Sequence, residues 1–130
     1  MSGRGLVLDA GALISVENNP RGKVYGACRD LLETGNRALL PAVVLAQVWR
    51  ASPRQAQLGV LRRMCQSVPF TDEMAEAVGR LLAASGTADV VDAAVVVAAI
   101  SHGTAVLTSD PVDLRKLSDA VGVQVPLITV

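Results

Sequence analysis

The sequence predicts an α/β fold, a three-layer α/β/α sandwich with a mainly parallel central sheet. Short aliphatic runs such as Leu6-Val7-Leu8 alternate with longer stretches of helical apolar spacing, the pattern of strands joined by crossover helices. The short runs are apolar throughout, as expected of strands covered on both faces. The apolar residues are chiefly Ala, Val and Leu, with Tyr25, Trp49 and Phe70 the only aromatics, which suits helices packed closely on a sheet.

Each element can be justified in turn. Leu6–Leu8 is a buried strand that ends on Asp9. Gly11 to Glu17 reads as a short helical region closed by the turn signal Asn18-Asn19-Pro20. Gly22 to Thr34 carries Val24, Ala27, Cys28, Leu31 and Leu32 at helical spacing, and Gly35-Asn36 is a C-terminal stop. Ala38-Leu39-Leu40 is a second strand. Pro41 fits the first position of a helix running to Arg50. Ser52-Pro53 begins another, with Ala56, Val60, Leu61 and Met64 as its apolar positions. Ser67–Phe70 is a third strand, confined to an edge or an end by Pro69. Thr71 caps a helix from Asp72 to about Ala84. Asp89 to Ser101 is a strongly apolar helix ended by His102-Gly103, and Ala105–Thr108 is a strand. Pro111 to Ala120 is helical, and Val125–Ile128 closes as a last strand.

At 130 residues the chain is one domain, 1–130, long enough to bury a core without disulfides or a structural metal. An apolar content of 51% excludes a disordered chain. Twelve basic and twelve acidic residues cancel, so net charge gives no pointer to nucleic acid. Their placement is uneven. Arg37, Arg50, Arg54, Arg62 and Arg63 fall in a segment with no acid, whereas from Asp72 to Asp119 acids outnumber bases eight to three. Such a division suits a polyanion held beside a metal, and equally suits solvated helix faces. Cys28 and Cys65 have no metal-ligand spacing and read as buried or half-buried thiols of helical stretches in a reducing compartment. Met1–Gly5 leads into the first strand with no apolar h-region, so no signal peptide is expected. The longest apolar run, Ala93–Ile100, falls far short of the roughly 20 residues that span a bilayer, so a cytoplasmic protein is expected.

The carboxylates carry the chemistry. Ligands of open α/β sheets bind beyond the carboxyl ends of the strands, which is where Asp9 stands. Asp92 lies in the first turn of a helix whose other faces are almost wholly apolar, where an ionised carboxylate is costly unless paired or metal-bound. A dipole-stabilised acid near a helix N-terminus is the simpler alternative. Asp89 reads as that helix's N-cap, near the face of Asp92, with a supporting or second-metal role as the minority reading. Asp110, before Pro111, reads alone as an N-cap, yet it stands at a strand's C-terminal edge as Asp9 does. Those two strands are neighbours if the sheet reverses its order between them. Three acids meeting at one edge suit a hard divalent cation, and such a cation can activate water and clamp a phosphodiester in line.

Four segments together carry a more specific likeness. The strand with Asp9, the Pro41–Arg50 helix, Asp89-Val90-Val91-Asp92-Ala93 and the edge Leu107-Thr108-Ser109-Asp110 resemble, in order and spacing, a PIN domain. In particular they look like the VapC-type toxin ribonucleases of bacterial toxin–antitoxin pairs. The resemblance implies Mg²⁺- or Mn²⁺-dependent hydrolysis of RNA, with Asp9, Asp92 and Asp110 as metal ligands. It also implies a homodimer and a small antitoxin whose C-terminal segment covers the acidic edge. The chain departs from the family at Gln47, where such proteins usually carry Glu. Gln47 is expected to complete the catalytic site, since an amide oxygen can ligate a metal or hold a water, but it brings no charge, so metal binding and activity should be reduced. Thr108 and Ser109 are expected to support the site or merely finish the strand. Arg50 and Arg54 are candidate phosphate contacts or a solvated face, and His102 is a helix-dipole partner without a catalytic role.

Two other functions compete with the metal-dependent endoribonuclease. A catalytically silent PIN-like module that binds RNA or an antitoxin is favoured by Gln47. A phosphoaspartyl enzyme or receiver domain using Asp9 is disfavoured, since position 11 is Gly rather than a second Asp and Lys116 lies inside a helix instead of ending a late strand.

Overall fold

The computed structural model describes residues 5–130, so Met1–Arg4, on which most of the leader reading rests, lie outside it. Among the described residues, five strands form one sheet: β1 (Leu6–Leu8), β2 (Leu39–Pro41), β3 (Gln66–Val68), β4 (Ala105–Thr108) and β5 (Leu127–Thr129). Their order is β3-β2-β1-β4-β5, and every neighbouring pair is parallel. The expected sheet is thus wholly rather than mainly parallel. From β1 the chain first builds outward through β2 and β3, then crosses back to β4 on the other side of β1. Order reverses between β1 and β4, and a ligand crevice is expected there.

Among the described residues, seven helices cover the sheet: α1 (Ala10–Asn18), α2 (Lys23–Glu33), α3 (Ala42–Val48), α4 (Ala56–Met64), α5 (Asp72–Ser85), α6 (Val90–His102) and α7 (Pro111–Ala120). α1, α2 and α4 pack on one another, as do α5, α6 and α7, while α3 touches both α1 and α6. This is the two-sided helical cover that right-handed crossovers of opposite direction produce. α6 runs through the core: Ala93, Ala94, Val95, Val96, Ala98 and Ala99 are all buried. Small side chains let it lie against β1, β2 and β4. Leu8, Leu13, Leu58 and Leu61 are fully buried, each stabilising the fold by roughly 1.5–3 kcal/mol through burial.

Several boundaries differ from expectation for identifiable reasons. Pro41 does not open α3; it is the last residue of β2, paired with Val68, and α3 starts at Ala42. α3 ends at Val48 rather than Arg50 because the Gln55 side chain occupies the Val48 carbonyl and the Arg50 amide. Ser52-Pro53 begins only a 3-10 turn, Pro53–Gln55, before α4. That offset turns Leu58 and Leu61 inward and leaves Ala56 exposed. β3 begins earlier than predicted, with the Gln66 N–H donating to the Ala38 carbonyl at 2.8 Å, and stops before Pro69, which has no N–H to donate. β5 starts at Leu127 rather than Val125. Thr71 caps α5 as predicted, accepting from the Met74 N–H at 3.2 Å. Cys28 is buried within α2, but Cys65 follows α4 instead of lying inside it. No single described helix is long and apolar enough to cross a membrane.

Candidate active site

β1 and β4 run in register, Leu8 beside Leu107, so Asp9 and Thr108 leave the sheet side by side. The Asp9 N–H donates to the Leu107 carbonyl at 3.2 Å, which ties the end of β1 to β4. Its side chain then turns into the N-terminus of α1, where Oδ1 accepts from the Ala12 N–H at 2.8 Å. The Thr108 hydroxyl and the Gly11 N–H lie beside this carboxylate and favour its charged form. Only 5% of Asp9 is exposed. Burial pushes its pKa up, Thr108 and the backbone donors pull the other way, and the charge of Asp110 adds to the rise. A cap on α1 was not foreseen in the sequence, although Asp before a helix is a familiar signal.

Thr108 links the two strand ends. Beside Asp9, its side-chain oxygen accepts from the Asp110 N–H at 2.8 Å. Asp110 stands at the N-cap position of α7, but its own side chain makes no capping bond. The simple cap reading therefore fails, and the carboxylate is exposed beside the site. Ser109 is exposed too and leans over α1, where a Cβ on Gly11 would overlap its hydroxyl. A side chain at position 11 would thus push β4's end away from α1.

Asp92 enters from α6. Asp89 caps that helix as predicted, accepting from the Asp92 N–H at 2.9 Å. Asp92 is half-buried, and its pKa is pushed up to about 6, chiefly by burial and then by Asp89, Asp113, Asp9 and Asp110. Asp113 escaped the sequence reading. The signal was there: Asp110 and Asp113 repeat the three-residue spacing of Asp89 and Asp92 at the start of a helix. Asp89, Asp92 and Asp113 share a hollow of about 180 Å³ with Lys116. Among the described residues the ion pairs are Arg29–Glu33 and Arg80–Glu76, so none reaches these acids.

Two findings bear on a metal. Asp9, Asp92 and Asp110 repel one another without a basic partner in salt-bridge contact, which favours a cation. Among the described residues, however, no three acid, His or Cys side chains close into a metal-binding cluster. The expected three-carboxylate shell is therefore a shared electrostatic neighbourhood rather than a closed ligand set. That donor set fits a hard ion such as Mg²⁺, which keeps several waters and takes one or two carboxylates, and does not fit a fully protein-ligated ion.

Gln47 lines a cavity beside this group. It is exposed in the last turn of α3, and among the described residues no hydrogen bond joins it to the acids. The cavity measures about 510 Å³, and its lining includes Ala10, Glu17, Arg50, Arg54 and Gln55. Arg50 and Arg54 are thus gathered at one place, though Arg50 also donates to the Ala46 and Trp49 carbonyls. His102 sits in the last turn of α6 with Nδ1 at 2.9 Å from the Ala98 carbonyl oxygen, far along the helix from Asp92.

Solved structures share this fold. VapBC2 from Rickettsia felis, bound to a DNA fragment from its promoter, superposes with a TM-score of 0.73 at 15% identity, covering 97% of this chain and 98% of that one. DNA-bound VapBC from Salmonella typhimurium gives a TM-score of 0.66 at 19% identity, covering 99% and 98%. FitAB bound to an IR36 DNA fragment gives 0.66 at 15%, covering 95% and 94%. At these identities the likeness shows the fold. A search of curated proteins finds no match. Across residues 6–119, from β1 into the last turn of α7, the sequence matches the PIN domain family, and the chain belongs to that family.

Proposed function

We propose that this protein is a divalent-metal-dependent endoribonuclease, the toxin of a toxin–antitoxin pair. The observation that carries the reading is the set of unneutralised carboxylates from β1, α6 and β4 at the point where the sheet reverses. Asp9, Asp92 and Asp110 are the residues that would hold Mg²⁺ or Mn²⁺, with Asp89 and Asp113 adding negative charge. A cation there supplies Lewis acidity, polarising a phosphoryl oxygen and easing the deprotonation of water. The Ala12 N–H fixes the direction of Asp9, and Thr108 holds the backbone of Asp110. Arg50 and Arg54 offer cations to the phosphates flanking the cleaved bond. His102 is too remote to act as a base.

The VapBC and FitAB relatives are complexes on DNA. By that likeness a small antitoxin is the proposed protein partner, with a homodimer as the assembly and the cytoplasm as the location. The experiment is RNA cleavage in Mg²⁺ or Mn²⁺, comparing the native protein with Asp9→Asn. Metal-dependent cleavage lost in the variant is expected, and equal cleavage by both removes the reading.

A second reading, a silent module that binds RNA or antitoxin, is favoured by the exposed neutral amide of Gln47. Calorimetric titration with Mn²⁺ separates the two. Saturable binding supports the nuclease; its absence supports the silent module.

A further inference from the structure

The cavity next to the acids is built rather than incidental. Gln55, only 6% exposed, spends its whole amide there: Oε1 accepts from the Arg50 N–H at 2.7 Å, and Nε2 donates to Glu17 Oε1 at 2.6 Å and to the Val48 carbonyl at 2.9 Å. Between Arg50 and Ser52, Ala51 takes a left-handed φ of 56°, which residues with a Cβ rarely adopt. Backbone of this kind persists where surrounding bonds hold it, and it collects at ligand sites. The result is a pocket with a fixed carboxylate in its wall, two guanidinium groups near it and the exposed aliphatic side chain of Ile14. Its volume is that of a small-ligand site. Ala10, the neighbour of Asp9, belongs to the same lining, so pocket and acids adjoin.

We infer that this pocket is a guanine subsite, holding the base of a nucleotide next to the cleaved phosphate. The inference rests on the ribonuclease reading for its place in the reaction. The choice of base follows from the Glu17 carboxylate, which only accepts hydrogen bonds. Guanine presents two adjacent donors, N1–H and the N2 amine. Adenine and cytosine set a ring-nitrogen acceptor beside their amine, and uracil flanks N3–H with two carbonyls, so each meets the carboxylate with a repelling lone pair. Ile14 offers an apolar surface to the base, and Arg50 and Arg54 suit the phosphates on either side. Gln55 orients the carboxylate before the base arrives, which lowers the ordering cost of binding. An arginine side chain from a protein partner would also pair with Glu17, but it would enter against Arg50 and Arg54.

The test uses full-length Asp9→Asn protein in Mg²⁺, so that RNA is held without being cut. Fluorescence anisotropy compares short single-stranded RNAs that differ at one base. Guanine is expected to bind about tenfold tighter than adenine, cytosine or uracil, the low end of what a two-bond base contact provides. Inosine, which lacks only the N2 amine, is expected to fall between them. Adding Glu17→Gln, whose amide oxygen can still accept from Gln55, is expected to erase the difference between guanine and inosine. Equal affinity for all five bases, no binding of any, or displacement of RNA by an arginine peptide without base preference would overturn the subsite. The inosine comparison needs no change at position 17, so a misfolded variant leaves the test intact. Cleavage by the native protein without base preference removes the subsite and keeps the nuclease. Base preference without cleavage does the reverse.

Discussion

α1 carries an acid at each end, and the two sit in opposite electrostatic settings. Asp9, at its N-terminus, is buried among other carboxylates with no basic side chain paired to it, and its pKa rises. Glu17, in its last turn, is held by the neutral amide of Gln55 on the wall of a cavity that also carries Arg50 and Arg54. One helix thus separates a region that attracts a cation from a region that attracts an anion. A polyanion cleaved with the help of a metal needs both, side by side. The same residue class serves different ends because burial and neighbours, not identity, decide which partner a carboxylate favours.

The strongest blow to this division is Asp9→Asn. Asparagine caps a helix as well as aspartate does, so α1 is expected to survive the change. Loss of the charge is expected to lower metal-dependent RNA cleavage at least about a hundredfold, the scale on which one preorganised electrostatic group acts. Circular dichroism alongside the cleavage assay separates lost charge from lost fold. On the other side of α1, Gln55→Ala leaves the Val48 carbonyl and the Arg50 amide without their partner. It is expected to destabilise the protein by about 2–3 kcal/mol in urea unfolding, the cost of orphaned buried polar groups. A loss below about 0.5 kcal/mol would mean that the loop around Ala51 is held by something else.

How much of this was legible in the sequence follows the same line. The strands and most helices could be read because aliphatic runs and caps are local signals; Thr71 and Asp89 cap the helices expected of them. The convergence of Asp9 with Asp110 was inferable from parallel-sheet rules alone. What could not be read depends on contacts across the chain. Gln55 is an ordinary polar residue in sequence, yet it ends α3 and shapes the cavity by reaching Glu17, 38 positions away. Gln47 stood out as the one polar residue of an apolar stretch, but periodicity does not say that it lines a cavity with Glu17 and Arg50. The missing capping bond at Asp110 was likewise hidden, because Thr108 supplies a partner for its amide and the side chain is left out.

A gentler probe is Gln47→Glu. It adds one negative charge on the cavity side without altering size. Because the cavity that Gln47 lines adjoins the acids, calorimetry is expected to show Mn²⁺ binding several-fold tighter, the effect of one charge across a partly solvated gap. An unchanged affinity would sharpen the boundary, placing position 47 with the arginines alone. Cleavage measured in parallel tells whether the added charge also raises activity.

The smallest expected effect lies in the pH dependence of stability. Asp92 has a folded pKa of about 6 against an ordinary value of 3.8, raised by burial first and then by Asp89, Asp113, Asp9 and Asp110. Between those values the folded protein binds more protons than the unfolded chain, so stability falls as pH rises through that window and stays lower above it. Because Asp92 is only half-buried and solvent screens it, the contribution is about 1 kcal/mol or less, a few degrees in Tm. Metal-free protein is therefore expected to melt higher at about pH 5 than at about pH 7.5, and Asp92→Asn is expected to flatten that slope. Added Mg²⁺ at the higher pH is expected to restore the native protein more than the variant, since a ligand stabilises only the state that binds it. An Asp92→Asn protein with an undiminished slope would show that other groups carry it and that Asp92 is not held in its protonated form by its neighbours, which would weaken the electrostatic contrast between the two ends of α1.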